Sequence, residues 1–498
     1  MKKTPFSVML NLFQHPLINI AMLFIPMSAS AQIMFQRTYG GSGYDEGRCV
    51  KQTWDGGYII AGSTSSFGAG STDVYLLKVD SLGNPQWQKT FGGTNIDKGY
   101  SLEICPDSGF VICGYTNSFG NGGYDAYLIR TTQNGDSLWT KTYGGTDWDF
   151  AYSLKIIADT NIIVVGNSYS NSDFQSKAWA IFISMNGSVI WSKQYSIPNE
   201  SFLNSVIQTQ DSNFLAIGYL TGGINNSEDI LLFKTNANGD SLWTRSYGNT
   251  GNDRGNSIDT SSAGGYILGA TMTNITSGYG DFYLIKTDTS GNMQWNQEFV
   301  STAGDYLYTI KQLSSAQYVT CGLSYGAGAG AGDVSLIWAG NFGAFDSSRS
   351  YGDAQFETPY CLNICNDKGF IIVGKTNSFN SNPEKVYLIK TDSTGLTDPN
   401  VVPSVGENIS RNNNLRLFPN PANLKVYIDL SEHHLNLNSN LQIQIVDLTG
   451  RNLISNERHR FLQNSNIELS LESIPAGYYI LTIDYQQLHY RGKLVIIK

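Results

Sequence analysis

The sequence predicts an all-β chain: a closed ring of seven four-stranded units on a 52-residue period, followed by a small β-sandwich. Three observations carry this. An aromatic residue returns at Tyr39, Phe91, Tyr143, Tyr195, Tyr247, Phe299 and Tyr351, each 52 positions after the last. A second series runs Phe35, Trp87, Trp139, Trp191, Trp243 and Trp295, and lapses only at Ser347. The 52 glycines and 29 tyrosines supply turns and half-buried aromatic strands. Self-similarity at about 40–50 residues marks repeat arrays, β-propellers among them, in which each unit buries its neighbour's face.

The elements follow in order. Residues 1–31 read as a secretory signal: Lys2 and Lys3 open it, residues 17–27 are apolar, and Ala29-Ser30-Ala31 is a small-x-small cleavage site. The apolar run is shorter than the roughly 20 residues a membrane span needs. Residues 32–396 hold the seven units. In the second, a short strand ends at Cys105, the turn Pro106-Asp107-Ser108-Gly109 leads to an apolar strand, a Gly/Ser/Asn loop leads to an alternating third strand, and Gln133-Asn134-Gly135-Asp136 turns into the last strand, which ends at Tyr143. The seventh unit lacks its last strand. Met34-Phe35-Gln36-Arg37-Thr38-Tyr39 matches that strand, so the start of the mature chain is expected to complete the last blade and close a seven-bladed β-propeller. A polar linker, 397–414, contains Pro399, Pro403 and Gly406, and residues 415–498 form the Ig-like sandwich.

Each propeller repeat resembles the extracellular repeats of bacteria and archaea that carry an Asp-Gly-Gly-Tyr turn and a Trp-x-Lys-x-Tyr-Gly-Gly ending, here Asp55–Gly62 and Asp73–Gly93. That family shares a fold and no single activity. The C-terminal module carries Phe418-Pro419-Asn420-Pro421, Asp447-Leu448-Thr449-Gly450-Arg451 and Pro475-Ala476-Gly477-Tyr478. In order and spacing these resemble the type A C-terminal sorting domain of Bacteroidetes type IX secretion cargo. The resemblance implies recognition by an outer-membrane translocon, cleavage, and release or attachment to surface lipopolysaccharide.

Carboxylates follow the period too. Asp45, Asp97, Asp149, Asp253, Asp305 and Glu357 share one slot, broken by Ser201. Asp73, Asp125, Asp229, Asp281 and Asp333 share a second, broken by Lys177 and Lys385. Both slots fall in loops on one face. Each Asp either accepts N–H bonds from its own turn or joins a ring that holds Ca²⁺ or hydrogen-bonds polyols. Phe67, Phe119, Tyr124, Tyr279, Tyr325 and Phe379 lie in the same loops. They either stack on sugar faces or pin each loop to its own blade. Asp80-Ser81-Leu82, Asp136-Ser137-Leu138 and Asp240-Ser241-Leu242 resemble a Bacteroidetes O-glycosylation motif, and also read as turns.

All five histidines lie outside the repeats, so the ring carries no histidine base, Ser-His triad or histidine-ligated metal. A net charge of −9 with 15% charged residues offers no footprint for nucleic acid. The six cysteines occupy small repeat slots, Cys49 with Cys361, Cys105 with Cys365, and Cys113 with Cys321. They read as buried thiols, with a Cys49–Cys361 bridge left open. The leading expectation is a monomeric, non-enzymatic secreted or cell-surface module that binds glycan or protein. The alternatives are a carboxylate-based glycan hydrolase or lyase and a passive scaffold.

Overall fold

The structure is a computed structural model. It describes residues 32–498 apart from 224–225, 314–316, 380, 382, 399–400, 404–415, 430–440, 448–451, 456–458, 462–465 and 486–487. The signal-like segment 1–31, with Gly450 and Arg451 of the C-terminal motif, lies outside the described residues.

Strands follow the period. The first repeat gives Asp45–Gln52, Tyr58–Thr64, Asp73–Val79 and Pro85–Phe91, hydrogen-bonded in that order as one antiparallel sheet. Five further sheets repeat this order as far as Phe345–Tyr351. The next sheet is Glu357–Ile364, Phe370–Thr376 and Lys385–Lys390, and its fourth strand is Phe35–Tyr39. Phe35 pairs with Lys390 and Tyr39 with Val386, antiparallel. Val401–Pro403, inside the expected linker, adds a fifth strand parallel to Phe35–Tyr39. It covers an edge that would otherwise leave its N–H and C=O groups unpaired.

Apolar clusters join consecutive sheets. Val50, Ile60 and Leu77 pack with Val373, Val386 and Leu388, so the first sheet of the chain shares a core with the sheet that holds its last repeat. Ile59, Leu76, Ile112 and Ile129 join the first repeat to the second. Val319 and Leu336 join the sixth to Ile372 and Ile389.

The period itself has a mechanism. Tyr39, Tyr143, Tyr195 and Tyr351 each donate a phenolic hydrogen bond to a glycine carbonyl 44 residues on: Gly83 at 2.7 Å, Gly187 at 2.8 Å, Gly239 at 3.0 Å and Gly395 at 2.7 Å. Tyr247 makes the same bond to Gly291. These glycines sit near φ +79°, the left-handed region where a side chain is strained. A ring from the preceding unit lies over the glycine: Trp87 over Gly135, Trp191 over Gly239, Trp243 over Gly291 and Trp295 over Gly343. At Gly395 the ring is Trp338. Trp338 is the cross-strand partner of Ser347, the one position where the tryptophan series lapses. The indole has moved one strand over and kept its contact, and it reaches Phe370 at 5.7 Å.

In five of the other six units that cross-strand slot holds a buried cation, and in the third it holds Phe182. Lys78, Lys234 and Lys390 reach Asp55, Asp211 and Asp367 of the first turn at 2.8–2.9 Å, and Arg130 reaches Asp107 at 2.6 Å. The same Asp side chains accept the N–H of Gly57, Gly109 and Gly369 at 3.0 Å. This double role explains the Asp in the Asp-Gly-Gly turn.

The C-terminal residues form two four-stranded sheets. One orders Arg416–Phe418, Lys425–Asp429, Asn466–Ser470 and His459–Phe461; the other orders Asn452–Ser455, Leu441–Asp447, Gly477–Tyr485 and Leu488–Ile496. Val426, Ile428, Ile467 and Leu469 from the first meet Ile443, Ile445, Leu481, Ile483 and Leu494 from the second in one buried core.

Candidate functional site

All eleven periodic carboxylates are buried, between 0% and 8% exposed. Their own loops engage them. Asp45 Oδ2 accepts Gly41 N at 2.9 Å and Ser66 Oγ at 2.7 Å. Asp97 accepts Gly93 N at 2.8 Å and Ser118 Oγ at 2.7 Å, and Asp149 accepts Gly145 N and Ser170 Oγ at the same two distances. Asp253 accepts Asn249 N and Thr273 N, Asp305 accepts Tyr325 N, and Glu357 accepts Asp353 N. In the second slot Asp73, Asp125, Asp281 and Asp333 accept N–H groups of Gly70, Asn121, Ser301 and Gly330.

The two slots meet at the junctions between units. A side chain on Gly92 would strike both Asp73 Oδ1 and Asp97 Oδ2; Gly144, Gly248 and Gly352 stand likewise between Asp125 and Asp149, Asp229 and Asp253, and Asp333 and Glu357. This contact accounts for the glycine after four of the seven aromatic outer strands, and Gly40 stands likewise between Asp45 and Lys385; Ser196 and Val300 follow the other two. Two buried like charges disfavour ionisation of both. Burial, with the facing carboxylate adding, holds Asp73, Asp125, Asp305 and Glu357 above the usual range. Burial also raises Asp333 and pushes Asp253 up to about 6. Asp125 Oδ1, Asp149 Oδ1, Asp281 Oδ2 and Asp333 Oδ1 have no hydrogen-bond partner among the described residues. The carboxylates converge as pairs; among the described residues no group of three or more His, Cys, Asp or Glu side chains gathers as a metal site.

The aromatic loop residues divide. Phe67, Phe119 and Phe379 lie on Tyr75, Tyr127 and Tyr387 of their own units, with ring centroids at 5.9, 6.0 and 5.6 Å. Tyr279 and Tyr325 are exposed, at 52% and 43%. Tyr325 meets Tyr306 at 6.3 Å and Phe356 at 6.0 Å.

Tyr124 belongs to a larger assembly that the period does not reveal. It meets Tyr115 at 5.2 Å, Phe150 at 5.6 Å and Trp148 at 6.0 Å. Tyr115 continues to Tyr100 at 5.5 Å, and Phe150 stacks on Tyr152 at 6.0 Å. Tyr100 and Tyr152 line a cavity of about 390 Å³ to which the first strand of every one of the seven sheets contributes. The run therefore leads from this central cavity to Trp148, which is 50% exposed. The signal for it was a break in symmetry: slot 150 holds Glu46 and Lys98 in the first two units and phenylalanine at Phe150 and Phe202 in the next two.

Charge in the cavity is mixed. Arg48 lies over Tyr360 at 3.7 Å and Tyr100 at 5.0 Å while pairing with Glu46 at 2.9 Å. Glu103 takes Lys51 at 3.1 Å and also Lys155. Burial holds the Lys311 ammonium below its ordinary range. Around the wall, one repeat slot ties neighbouring inner strands together. Ser101 Oγ accepts Leu154 N at 3.4 Å, Ser153 Oγ accepts Val206 N at 3.3 Å, Ser257 Oγ accepts Ile310 N at 3.2 Å, and Thr309 Oγ1 donates to Tyr360 O at 3.3 Å.

In the C-terminal module Phe418 stacks on Tyr427 at 5.7 Å, and Asn420 Oδ1, between Pro419 and Pro421, accepts Val495 N at 2.9 Å. Asp447 pairs in register with Tyr479, whose hydroxyl donates to Pro475 O at 2.9 Å. Gly477 opens the strand, and Tyr478 stands 70% exposed.

Residues 416–498 match the family described as secretion system C-terminal sorting domain. This is a type IX sorting tail, and it implies interaction with that machinery and export to the surface or the medium. A stretch of 115 residues, 20% of this chain, is 29% identical to regulatory protein FlaEY of Caulobacter vibrioides, of which it spans only 12%. Among solved structures, an ulvan lyase of a new polysaccharide lyase family matches with TM-score 0.48 and 10% identity over 71% of this chain and 96% of that one. The β-propeller domain of the trilobed protease of Pyrococcus furiosus matches with TM-score 0.39 and 8% identity over 73% and 96%.

Proposed function

We propose that this chain is an exported binding protein: a closed seven-bladed propeller that holds a glycan on its aromatic run, delivered by an Ig-like sorting sandwich after loss of residues 1–31. The observation that carries the reading is the continuous path Trp148–Tyr124–Tyr115–Tyr100, from an exposed indole to the wall of the central cavity. Ring faces stack on sugar C–H faces while nearby polar groups satisfy hydroxyls. Arg48, Glu46 and Lys98 stand where those groups are needed, linked by ion pairs of 2.9 and 3.8 Å. The periodic carboxylates serve the fold in this reading, because buried acids facing one another hold loops and junctions and offer little to a ligand. Cleavage of the tail, followed by release or by attachment to surface lipopolysaccharide, is the expected fate, and the ring acts as a monomer.

Affinity electrophoresis of the purified protein in gels containing polysaccharides tests this. The mature chain is retarded by at least one, and Trp148→Ala migrates as in an empty gel. Equal retardation of both proteins contradicts the assignment of the run.

A further inference from the structure

We infer that Cys49 and Cys361 form a disulfide in the exported protein and lock its first repeat to its last. The inference rests on the closed-ring reading above and adds a covalent bond to it.

The two cysteines occupy the repeat slot that ties neighbouring inner strands together around the cavity wall, 312 positions apart in sequence. Where other units carry Ser or Thr, these two carry thiols. Cys49 Sγ lies 3.7 Å from Leu102 O on the inner strand of the second repeat. Cys361 Sγ lies 4.0 Å from Val50 O, the carbonyl next along the chain from Cys49. Asn363 holds this arrangement, with Nδ2 donating to Val50 O at 2.6 Å and lying 3.5 Å from Cys361 Sγ. Both cysteines pack in the same apolar cluster, and they are the two of the six that line the central cavity. Each thiol acts most strongly on the other, favouring the thiolate on Cys361 and disfavouring it on Cys49; Lys51 also favours the Cys361 thiolate. Cys105, Cys113, Cys321 and Cys365 are buried at 0–4% exposure, away from the cavity wall.

Export by the sorting tail takes the chain to an oxidising compartment, where disulfides persist. The oxidant is a protein or small-molecule disulfide. The Cys361 thiolate attacks one of its sulfurs and expels a thiolate. The Cys49 thiol loses its proton and attacks the Cys361 sulfur of the mixed disulfide, expelling the second thiolate. Two electrons pass to the oxidant, the Cys49–Cys361 bond forms, and two protons leave the cysteines.

The test uses the full chain equilibrated with oxidised glutathione, denatured and alkylated with iodoacetamide. The result expected is alkylation of four of the six cysteines, a linked peptide pair carrying Cys49 and Cys361, and six alkylated cysteines after reduction. Alkylation of all six without reductant overturns the inference, as does a bridge that survives in Cys49→Ser. Dibromobimane, which joins adjacent thiols without an oxidant, separates the two readings. If it links Cys49 to Cys361 in a chain that glutathione leaves reduced, the ring stands and the disulfide falls. If it does not, both fall.

Discussion

Lys385 Nζ lies 3.5 Å from Asp45 Oδ2, at a junction where most other units place two carboxylates face to face. Lys385 also donates to Gly43 O at 2.8 Å. The second slot carries lysine at Lys177 and Lys385 alone. At Lys177 the facing acid is absent too, replaced by Ser201, whose hydroxyl accepts Ala178 N at 2.9 Å. A junction therefore tolerates acid with acid, lysine with acid, or lysine with serine. The seam between the first and last repeats carries the charge-neutral version.

Removing that ammonium leaves a buried carboxylate less compensated. Lys385→Met is expected to lower stability by about 1–3 kcal/mol, less than for an isolated pair because Asp45 keeps its loop donors. Asp45→Asn in the same background returns part of the loss. Thermal denaturation of the three proteins checks this; equal melting temperatures for wild type and Lys385→Met contradict it.

The acid pairs give a pH dependence of definite sign. Asp253, pushed up to about 6, binds its proton more tightly in the folded chain than in the unfolded one. Its contribution is present below the ordinary carboxylate pKa and is lost as pH rises through about 6. Acidification from about pH 7 to about pH 5 should therefore add about 1 kcal/mol from this group alone, and Asp253→Asn should flatten the profile. EDTA leaves the melting temperature unchanged in this account. A fall on chelation would show that Ca²⁺, rather than a retained proton, holds the facing carboxylates together.

Trp338 and Ser347 are a swapped cross-strand pair, and the swap is reversible on paper. Trp338→Lys alone removes the ring over Gly395 and is expected to cost about 2–4 kcal/mol, as for truncation of a large buried side chain. Adding Ser347→Trp reproduces the arrangement of the fifth repeat, where Lys286 faces Trp295 without a turn aspartate, and part of the loss returns. A double-mutant cycle measures the coupling; additive effects contradict the exchange.

Lys286 is 2% exposed and, unlike its counterparts Lys78 and Lys234, has no turn aspartate to pair with, because Ala263 stands in that slot. Its ammonium is held below the usual range by burial. Ala263→Asp should supply the missing carboxylate and raise stability by about 0.5–2 kcal/mol in denaturant unfolding. A lower midpoint for the variant contradicts the pairing.

The period made the strands legible, because turns, alternation and one aromatic per unit are properties of a single repeat. The pairing of Phe35–Tyr39 with Lys385–Lys390 was legible for the same reason: one strand was surplus at the start and one missing at the end. What escaped were contacts between units. Asp73 and Asp97 stand 24 positions apart in different loops, and only the packing of adjacent sheets brings them to the same glycine. Ser347 looked like a lapse in the tryptophan series because a linear series cannot show that Trp338, its cross-strand partner, supplies the ring. The run through Tyr115, Phe150 and Tyr152 escaped because its slots carry an aromatic in only some units: Tyr115 with Tyr219, Phe150 with Phe202, and Tyr100, Tyr152, Tyr308 and Tyr360. The buried state of the acids was half legible: repetition argued for a structural role, while the choice of loop argued for a ligand.

A glycan array probed with the full mature chain beside Trp148→Ala, Tyr124→Ala and Asp97→Asn tests the central claim most directly. The result expected is selective binding that both aromatic substitutions abolish with unchanged melting temperature, and that Asp97→Asn leaves intact in the fraction that folds. Binding that survives Trp148→Ala and Tyr124→Ala, or that only Asp97→Asn removes, would contradict it.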